Sequence, residues 1–215
     1  MRLLAIDSAT EACSVALWQS GWVGGDYVWA PRGHTQALLP MIEQQLAAAG
    51  WSLAQLDGIV CTQGPGSFSG VRIGIAAAQG LAYAANLPTL GVSSLAALAW
   101  QGAMAQPELQ RWQVVVDARM QELYTASFAW DGEQLTAIGA EALVPINQFE
   151  PYLEAEVGRI GGGWALLGEA PVSTPEPQPH AWAAAALAAA KLAQGTAQWV
   201  SPELLQPVYL RASVT

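Results

Sequence analysis

Two aspartates occupy matching positions in the chain and are its best candidates for metal chemistry. Asp7 ends one apolar run and Asp117 ends another, and each is followed by a short polar turn and an alternating segment. Two such carboxylates could hold Mg²⁺ beside the phosphates of a nucleotide. A phosphate cradle also needs bare backbone amides, yet the turns Ser8–Thr10 and Ala118–Met120 contain no glycine. We therefore interpret both aspartates as residues that end strands and cap turns, with a vestigial cofactor contact as the alternative.

A second candidate is the glycine-rich run GPGSFSGVRIGIAAAQGLAYA, from Gly64 to Ala84. It predicts a tight turn that leads into a helix, and the amides at such a helix start can bind phosphate. No Lys followed by Ser or Thr comes after Gly70, because Val71 and Arg72 stand there. We therefore favour a packing or partner-binding role over phosphate binding.

Hydrolytic and metal-dependent chemistry lack the residues they need. The two histidines, His34 and His180, are far apart, and no metal-binding spacing occurs. Ser67 and Ser69 lack the surroundings of a serine nucleophile. The sequence thus predicts no catalytic residue, no metal ligand and no cofactor, and a peptidase is the least favoured class. His34 is expected to begin a helix or to face a partner.

Composition excludes other classes. The chain has 215 residues, 53% of them hydrophobic, and a net charge of −9, which argues against a broad nucleic-acid footprint. Cys13 and Cys61 lie in apolar runs and are expected to be reduced core residues. The N-terminal apolar run is too short for a secretory signal, and polar residues and Pro88 interrupt the uncharged middle. We expect a cytoplasmic protein with no membrane segment.

The hydrophobic pattern predicts alternating strands and helices, hence an α/β protein. After Asp131 and Gly132 the pattern becomes irregular, with a possible short helix at Asn147–Leu153, a glycine-rich bend at Gly158–Trp164 and a proline-rich connector at Pro171–Pro179. Strands are expected at Arg2–Ile6, Cys13–Trp18, Trp22–Trp29, Leu56–Thr62, Thr89–Val92 and Trp112–Asp117, and helices from Leu38 to Gly50, from the glycine turn to Asn86, from Ser93 to Met104 and at Ala181–Ala193.

The two aspartate hairpins also predict the domain organisation. The segments LLAIDSATEACSVALW and QVVVDARMQELYTASFAW share the order strand, Asp, polar turn and alternating strand ending in Trp. Such an echo indicates two related lobes, each with a mixed sheet flanked by helices. We expect a first lobe at residues 1–106 and a less regular second lobe at 107–215 that carries the alanine-rich helix.

Several motifs in order resemble one protein family: LLAIDSATEACSVAL, HTQALLP, GPGSFSGVRIGIAAAQGLA, VSSLAALA, VVVDARMQELY and PVYLR. Together they resemble the TsaB family, also called YeaZ. The resemblance implies two ribonuclease H-like lobes of the actin, hexokinase and sugar kinase (ASKHA) type, and kinship with the catalytic subunit TsaD. The two metal-binding histidines of TsaD fall on Ser94 and Leu98 here, so the resemblance too implies a lost active site.

The resemblance further implies a non-catalytic subunit that binds and activates TsaD in threonylcarbamoyl transfer to the adenosine next to the tRNA anticodon. TsaE would join a larger complex with ATP, tRNA would be contacted only indirectly, and a homodimer could use the same surface as the heterodimer. An ATP-dependent kinase or ATPase of the same fold, with Asp7 and Asp117 as metal ligands, is the alternative.

The expected partner-binding surface is helical. Small residues four apart would let a second helix approach closely, and no charged residue or histidine occurs from Ile73 to Pro107. The residues expected to contact a partner are Leu39, Ile42, Glu43, Leu46, Arg72, Gly74, Ala78 and Leu81.

Overall fold

A computed structural model of the chain describes residues 1–152, 154–169 and 178–211. Its contacts divide the chain into two compact units. The first unit contains Met1–Ser94 and Pro179–Val208, and the second contains Leu95–Gln178 and the residues from Tyr209 onward. The proline-rich connector expected at Pro171–Pro179 lies almost wholly outside the described residues.

The first unit is built on a five-stranded mixed sheet in the order β3-β2-β1-β4-β5. Strand β2 is antiparallel to β1 and β3, whereas β1, β4 and β5 run parallel. This order confirms the ribonuclease H-like lobe. The strands are β1 (Arg2–Asp7), β2 (Ala12–Gln19), β3 (Trp22–Trp29), β4 (Gly58–Thr62) and β5 (Thr89–Val92).

Helices cover both faces of this sheet because its central strands are apolar on both sides. Helices α1 (His34–Ala49) and α2 (Phe68–Ala85) pack on one face, where Leu4 and Ile6 of β1 belong to the shared core. Helix α4 (Ala181–Ala193) packs across β1, β2 and β4. Six of its nine alanines are buried, and these small side chains let the helix lie close to the sheet.

The position of α4 corrects the domain boundary expected from the sequence. The order of the sequence predicts that Ala181–Ala193 belongs to the second lobe, because it follows that lobe in the chain. Its contacts group it with the first unit, since the alanine face fits the sheet of β1, β2 and β4. The first unit is therefore assembled from two separate stretches of sequence.

The second unit repeats the sheet order of the first with one strand fewer, β8-β7-β6-β9. Its hairpin β6–β7 corresponds to β1–β2, as the repeated pattern of strand, Asp, turn and strand predicts. Trp112 of β6 is buried in a space left by Gly102 and Gly158, where a Cβ would overlap the indole. The elements are α3 (Ser94–Ala105), β6 (Arg111–Arg119), β7 (Glu122–Trp130), β8 (Leu135–Pro145) and β9 (Val157–Ile160).

The prediction was wrong where the second half seemed irregular. Leu135–Pro145 is an eleven-residue strand, although most of it is exposed or half-buried and so shows no clear alternation. The expected glycine bend is β9 followed by a 3-10 helix at Gly162–Leu167, and the expected helix near Asn147 is a 3-10 turn at Ile146–Gln148. By contrast, the predicted bounds of β3, β5 and α4 are confirmed.

The length and hydropathy of the helices also bear on membranes. In the part of the chain that the structure describes, no helix is both long enough and apolar enough to cross a bilayer.

Candidate functional site

Asp7, at the end of β1, is fully buried with neither carboxylate oxygen in a well-formed hydrogen bond. Burial raises the pKa of this carboxyl from 3.8 to about 7, because a charge is poorly solvated there. The Thr62 hydroxyl and the Ala9 amide lie near it and oppose that rise. A metal ligand must be ionised and reachable, so this burial works against the first role considered for Asp7.

The turn after Asp7 is locked against the start of α2. The Ser67 amide donates to the Ala9 carbonyl at 2.7 Å, and the Ser8 hydroxyl donates to the Gly70 carbonyl at 2.8 Å. The Ser67 hydroxyl in turn accepts from the Gly70 amide at 3.3 Å. A Cβ on Gly66 or Gly70 would overlap backbone oxygens of this turn. The glycines thus serve internal packing, and these two amides are not free to bind phosphate.

Gly74 and Ala78 have the same internal role one and two turns further along α2. A Cβ on Gly74 would overlap the Ser8 hydroxyl and lie 3.4 Å from the Cys61 sulphur, and Ala78 is fully buried. These small residues let α2 approach the sheet of its own unit. They do not form the external helix-packing stripe that we expected.

A second helix, α4, begins beside β2, the strand that pairs with β1. Ser14, the register partner of Asp7, accepts a hydrogen bond from the Ala181 amide at 2.9 Å. The His180 Nδ1 atom accepts from the Trp182 amide at 3.2 Å, and burial lowers the pKa of this imidazole to about 4. His180 is therefore a neutral N-cap, and the first amides of α4 are already engaged.

His34 begins α1, in agreement with one of the two roles expected for it. Its Nε2 atom donates to the Ala12 carbonyl at 3.1 Å, and the side chain is buried. The imidazole therefore ties the start of the helix to the start of β2 and has no exposed face for a reaction.

Asp117 caps its own turn. Its carboxylate accepts from the Arg119 amide at 2.7 Å and from the Arg119 guanidinium at 3.1 Å. Arg119, Met120 and Gln121 all have left-handed backbone, with φ of 63°, 56° and 63°. Because the turn is closed by its own arginine, the geometry favours the strand-end and turn-cap interpretation.

Arg211 braces the same hairpin from the tail of the chain. Its guanidinium pairs with the Glu122 carboxylate, donates to the Ala118 carbonyl at 3.2 Å and reaches the Met120 sulphur at 3.0 Å. These contacts hold the strained turn in one conformation.

Within residues 1–152, 154–169 and 178–211, no three His, Cys, Asp or Glu side chains converge as a metal site would require. Cys13 and Cys61 are buried free thiols. Burial raises the pKa of Cys13 to about 12 and that of Cys61 further, so both remain protonated at neutral pH.

Half of the expected partner-binding residues are in the core. Ile42, Leu46, Gly74 and Ala78 are buried within the first unit and cannot touch another protein. Helical spacing placed these four residues on faces of α1 and α2 that turn out to be buried, because the apolar stripe of a helix usually packs inward. Of the other four residues, Leu39, Glu43 and Arg72 are exposed and Leu81 is half-buried.

The structure instead exposes a different row on α2. Phe68, Arg72, Ala76, Gly80 and Ala84 lie four residues apart, and all are exposed. The Arg72 guanidinium lies 3.3 Å from the centre of the Phe68 ring and donates to the Phe68 carbonyl at 3.0 Å. The buried row of Gly70, Gly74 and Ala78 also repeats every four residues, and the exposed row is shifted from it by two positions. Sequence analysis identified only the buried row.

Tyr83 adds to this row as the most exposed large hydrophobic side chain described, at 82%, and Phe68 is 69% exposed. We call Phe68, Arg72, Ala76, Gly80, Tyr83 and Ala84 the α2 face. It is apolar apart from one arginine, which is a composition typical of protein-binding surfaces.

Taken together, the fold and the two hairpins define a class: an α/β protein of two ribonuclease H-like units, each with a mixed sheet built around a strand–Asp–turn–strand hairpin. Residues 28–194 match the sequence model of the family described as "TsaD: tRNA N6-adenosine threonylcarbamoyltransferase". The curated relatives and solved structures match over most of their lengths, and they show that the chain belongs to the TsaB (YeaZ) family.

Two relatives are named tRNA threonylcarbamoyladenosine biosynthesis protein TsaB. The one from Escherichia coli is 44% identical over 170 residues, covering 76% of this chain and 72% of the relative. The one from Haemophilus influenzae is 36% identical over 178 residues, covering 79% and 75%. Among solved structures, YeaZ from Pseudomonas aeruginosa has a TM-score of 0.87 and 39% identity, covering 97% of this chain and 99% of that one.

Proposed function

We propose that this protein is a non-catalytic subunit that binds TsaD and activates threonylcarbamoyl transfer to the adenosine next to the tRNA anticodon. One observation carries the proposal. In the first unit the Ser67 and Gly70 amides at the start of α2 are engaged in internal hydrogen bonds, and the same helix presents an apolar, solvent-exposed face. The names of its relatives supply the pathway.

Three observations support the proposal that this subunit is not catalytic. The Asp7 carboxyl is buried, the Ser67 and Gly70 amides are engaged, and the Asp117 carboxylate binds its own Arg119. The positions that correspond to the metal-binding histidines of TsaD are Ser94 and Leu98, both buried. A hydroxyl and an alkyl side chain do not replace imidazole as metal ligands.

The α2 face and its neighbours on α1 support the binding part. Leu39 and Glu43 of α1 are exposed, and α1 packs beside α2. Small residues at Ala76, Gly80 and Ala84 would let a helix of TsaD approach closely, while Phe68 and Tyr83 supply aromatic anchors of the kind that dominate binding energy.

The net charge of the chain and the pathway of its relatives bear on three other partners: tRNA, TsaE and a second copy of the chain. With a net charge of −9 the chain repels polyanions, so tRNA would be held by other subunits. TsaE would join with ATP in a larger complex, and without TsaD the same helical face could support a homodimer. We expect the assembly to act in the cytoplasm, where tRNA is modified.

Gly80→Leu tests the interface. A Cβ on Gly80 has open space around it, so the substitution leaves the fold intact while adding bulk to the α2 face. We expect the variant to lose co-elution with TsaD and the activation of tRNA modification. Ala193→Leu, on the exposed end of α4, is the matched control and should behave like wild type.

Two results would contradict the proposal. Unchanged co-elution of Gly80→Leu with TsaD would exclude the α2 face as the interface. Tight binding of magnesium ATP to the isolated chain by calorimetry, lost in Asp7→Asn, would favour the kinase or ATPase alternative.

A further inference from the structure

The second unit contains a cavity that has no part in the proposed function. Its volume is about 310 Å³, which lies at the lower end of the range of about 300–1,000 Å³ that is usual for ligand pockets. Because the α2 face belongs to the first unit, this cavity is independent of the proposed TsaD interface. Its lining includes Gln113 of β6, Thr125 and Ser127 of β7, Ile138 of β8, and Phe149 and Glu150.

The floor of the cavity is polar, although the same sheet face is apolar further along. Val115 and Leu123 belong to the buried core on this face. Thr125 is the register partner of Val115, and Ser127 follows it on the same face because side chains two apart on a strand point the same way. Both residues are half-buried, and each hydroxyl can donate and accept a hydrogen bond. This floor therefore suits a polar ligand.

One wall of the cavity is held in place by the side chain of Gln113, which is only 4% exposed. Its Oε1 atom accepts from the Tyr152 amide at 2.9 Å, and its Nε2 atom donates to the Glu150 carbonyl at 3.4 Å. The Phe149 ring is fixed as well, because it packs edge-on against Trp164 at a centroid distance of 5.8 Å. A wall that is fixed before a ligand arrives lowers the entropy cost of binding.

The charges around the cavity favour a cation. Glu150 lines it, and among the described lining residues there is no Lys, Arg or His. Arg111 of β6 packs instead over the Tyr152 ring, with its guanidinium carbon 5.4 Å from the ring centre. The second unit has eleven acidic and four basic residues, a net charge of −7, whereas the first unit carries −2. Such a field concentrates small cations around the second unit.

We propose that this cavity binds a small aliphatic polyamine. The ammonium groups of the ligand only donate hydrogen bonds, and the Glu150 carboxylate and the two hydroxyls of β7 accept them. Its methylene groups lie against the apolar side chains of Ile138 and Phe149. A lysine side chain of a polypeptide carries the same alkylammonium group, so a lysine peptide is the comparison ligand.

Calorimetry of the full chain with spermidine tests the proposal. At physiological ionic strength, charges more than about 8 Å apart are largely screened, so binding then reports the cavity rather than the general field. We expect one spermidine per chain with a Kd in the micromolar range. Glu150→Gln should weaken binding at least tenfold, and Ser127→Ala severalfold. Glu133→Gln removes the same charge from the exposed β7–β8 turn, outside the cavity, and should change the affinity less than twofold.

The peptide acetyl-Gly-Lys-Gly-amide separates a free amine from a lysine side chain. We expect it to bind at least tenfold more weakly than spermidine, and tighter binding of the peptide would overturn the polyamine in favour of a protein partner. Circular dichroism of each variant checks its fold. Absence of spermidine binding would also overturn the proposal. Equal weakening by Glu150→Gln and Glu133→Gln would do the same, because it would reduce the effect to general charge attraction.

Discussion

At the scale of single residues, burial decides what Asp7 can do. A carboxylate at the end of a parallel strand is well placed for metal chemistry, yet here it is fully buried, with Thr62 and the Ala9 amide beside it. Its raised pKa follows from that burial. The residue is therefore a source of pH dependence in folding.

Asp7→Asn should change how stability varies with pH. Between pH 4 and pH 7 the folded chain holds a proton on Asp7 that the unfolded chain has lost, so stability falls as pH rises through this window. The full penalty above pH 7 is about 4 kcal/mol. Chemical denaturation should show the variant more stable than wild type at pH 8 and no more stable at pH 4. Equal slopes in both proteins would contradict the burial of a titrating carboxyl.

His180 should have the opposite effect. Its pKa is lowered to about 4, so the unfolded chain binds a proton between pH 6.5 and pH 4 that the folded chain rejects. Stability from His180 is present above pH 6.5 and is lost as pH falls, by up to about 3 kcal/mol. His180→Asn keeps a capping oxygen that does not titrate, and its stability should fall less on acidification. An unchanged acid slope in the variant would refute the neutral N-cap.

At the scale of elements, α2 separates two kinds of small residue on one helix. Gly74 faces inward against Ser8, whereas a Cβ on Gly80 meets nothing. Both look alike in sequence because each has small side chains four residues before and after it. They differ only in the direction of the Cα–Cβ bond, which would point into the core at Gly74 and into open space at Gly80.

Gly74→Ala and Gly80→Ala should therefore differ in sign. The first inserts a methyl group into the Ser8 hydroxyl and should cost about 1–3 kcal/mol. The second improves helix propensity without a clash and should stabilise by up to about 1 kcal/mol. Thermal unfolding of the two variants measures both effects. If Gly74→Ala were neutral, the close approach of α2 to the first turn would be wrong.

At the scale of the whole molecule, the first unit depends on a helix from the far end of the chain. Helix α4 covers the sheet face formed by β1, β2 and β4, and the Ser14 hydroxyl accepts from its first amide. Without α4, apolar side chains of three strands would be open to water.

A fragment of residues 1–106 should therefore fail to fold, although the sequence pattern suggested it as a lobe. A fragment in which residues 1–94 are joined by a flexible linker to 178–208 should fold, because it restores α4 to the sheet. Circular dichroism and thermal melting of both fragments test this. Cooperative unfolding of the shorter fragment would show that α4 is dispensable.

Much of the fold could be predicted from the sequence because it depends on local patterns. The strands β3 and β5 and the helix α4 were placed with correct bounds, and the repeated hairpin around Asp7 and Asp117 indicated two related sheets. The family followed from motifs in order. Strand β8 was missed because its half-exposed residues show no clear period.

The sequence by itself determined the fold class, the repeat and the absence of a metal-binding spacing, since each depends on residue type and near-neighbour order. Only the tertiary structure decided which face of α2 is open, that Asp7 is sealed, and that α4 belongs to the first unit. These properties depend on contacts between residues distant in sequence. The hydrophobic effect is non-directional. The periodicity of a sequence therefore shows that an apolar stripe of a helix will be buried, but not which other element will cover it.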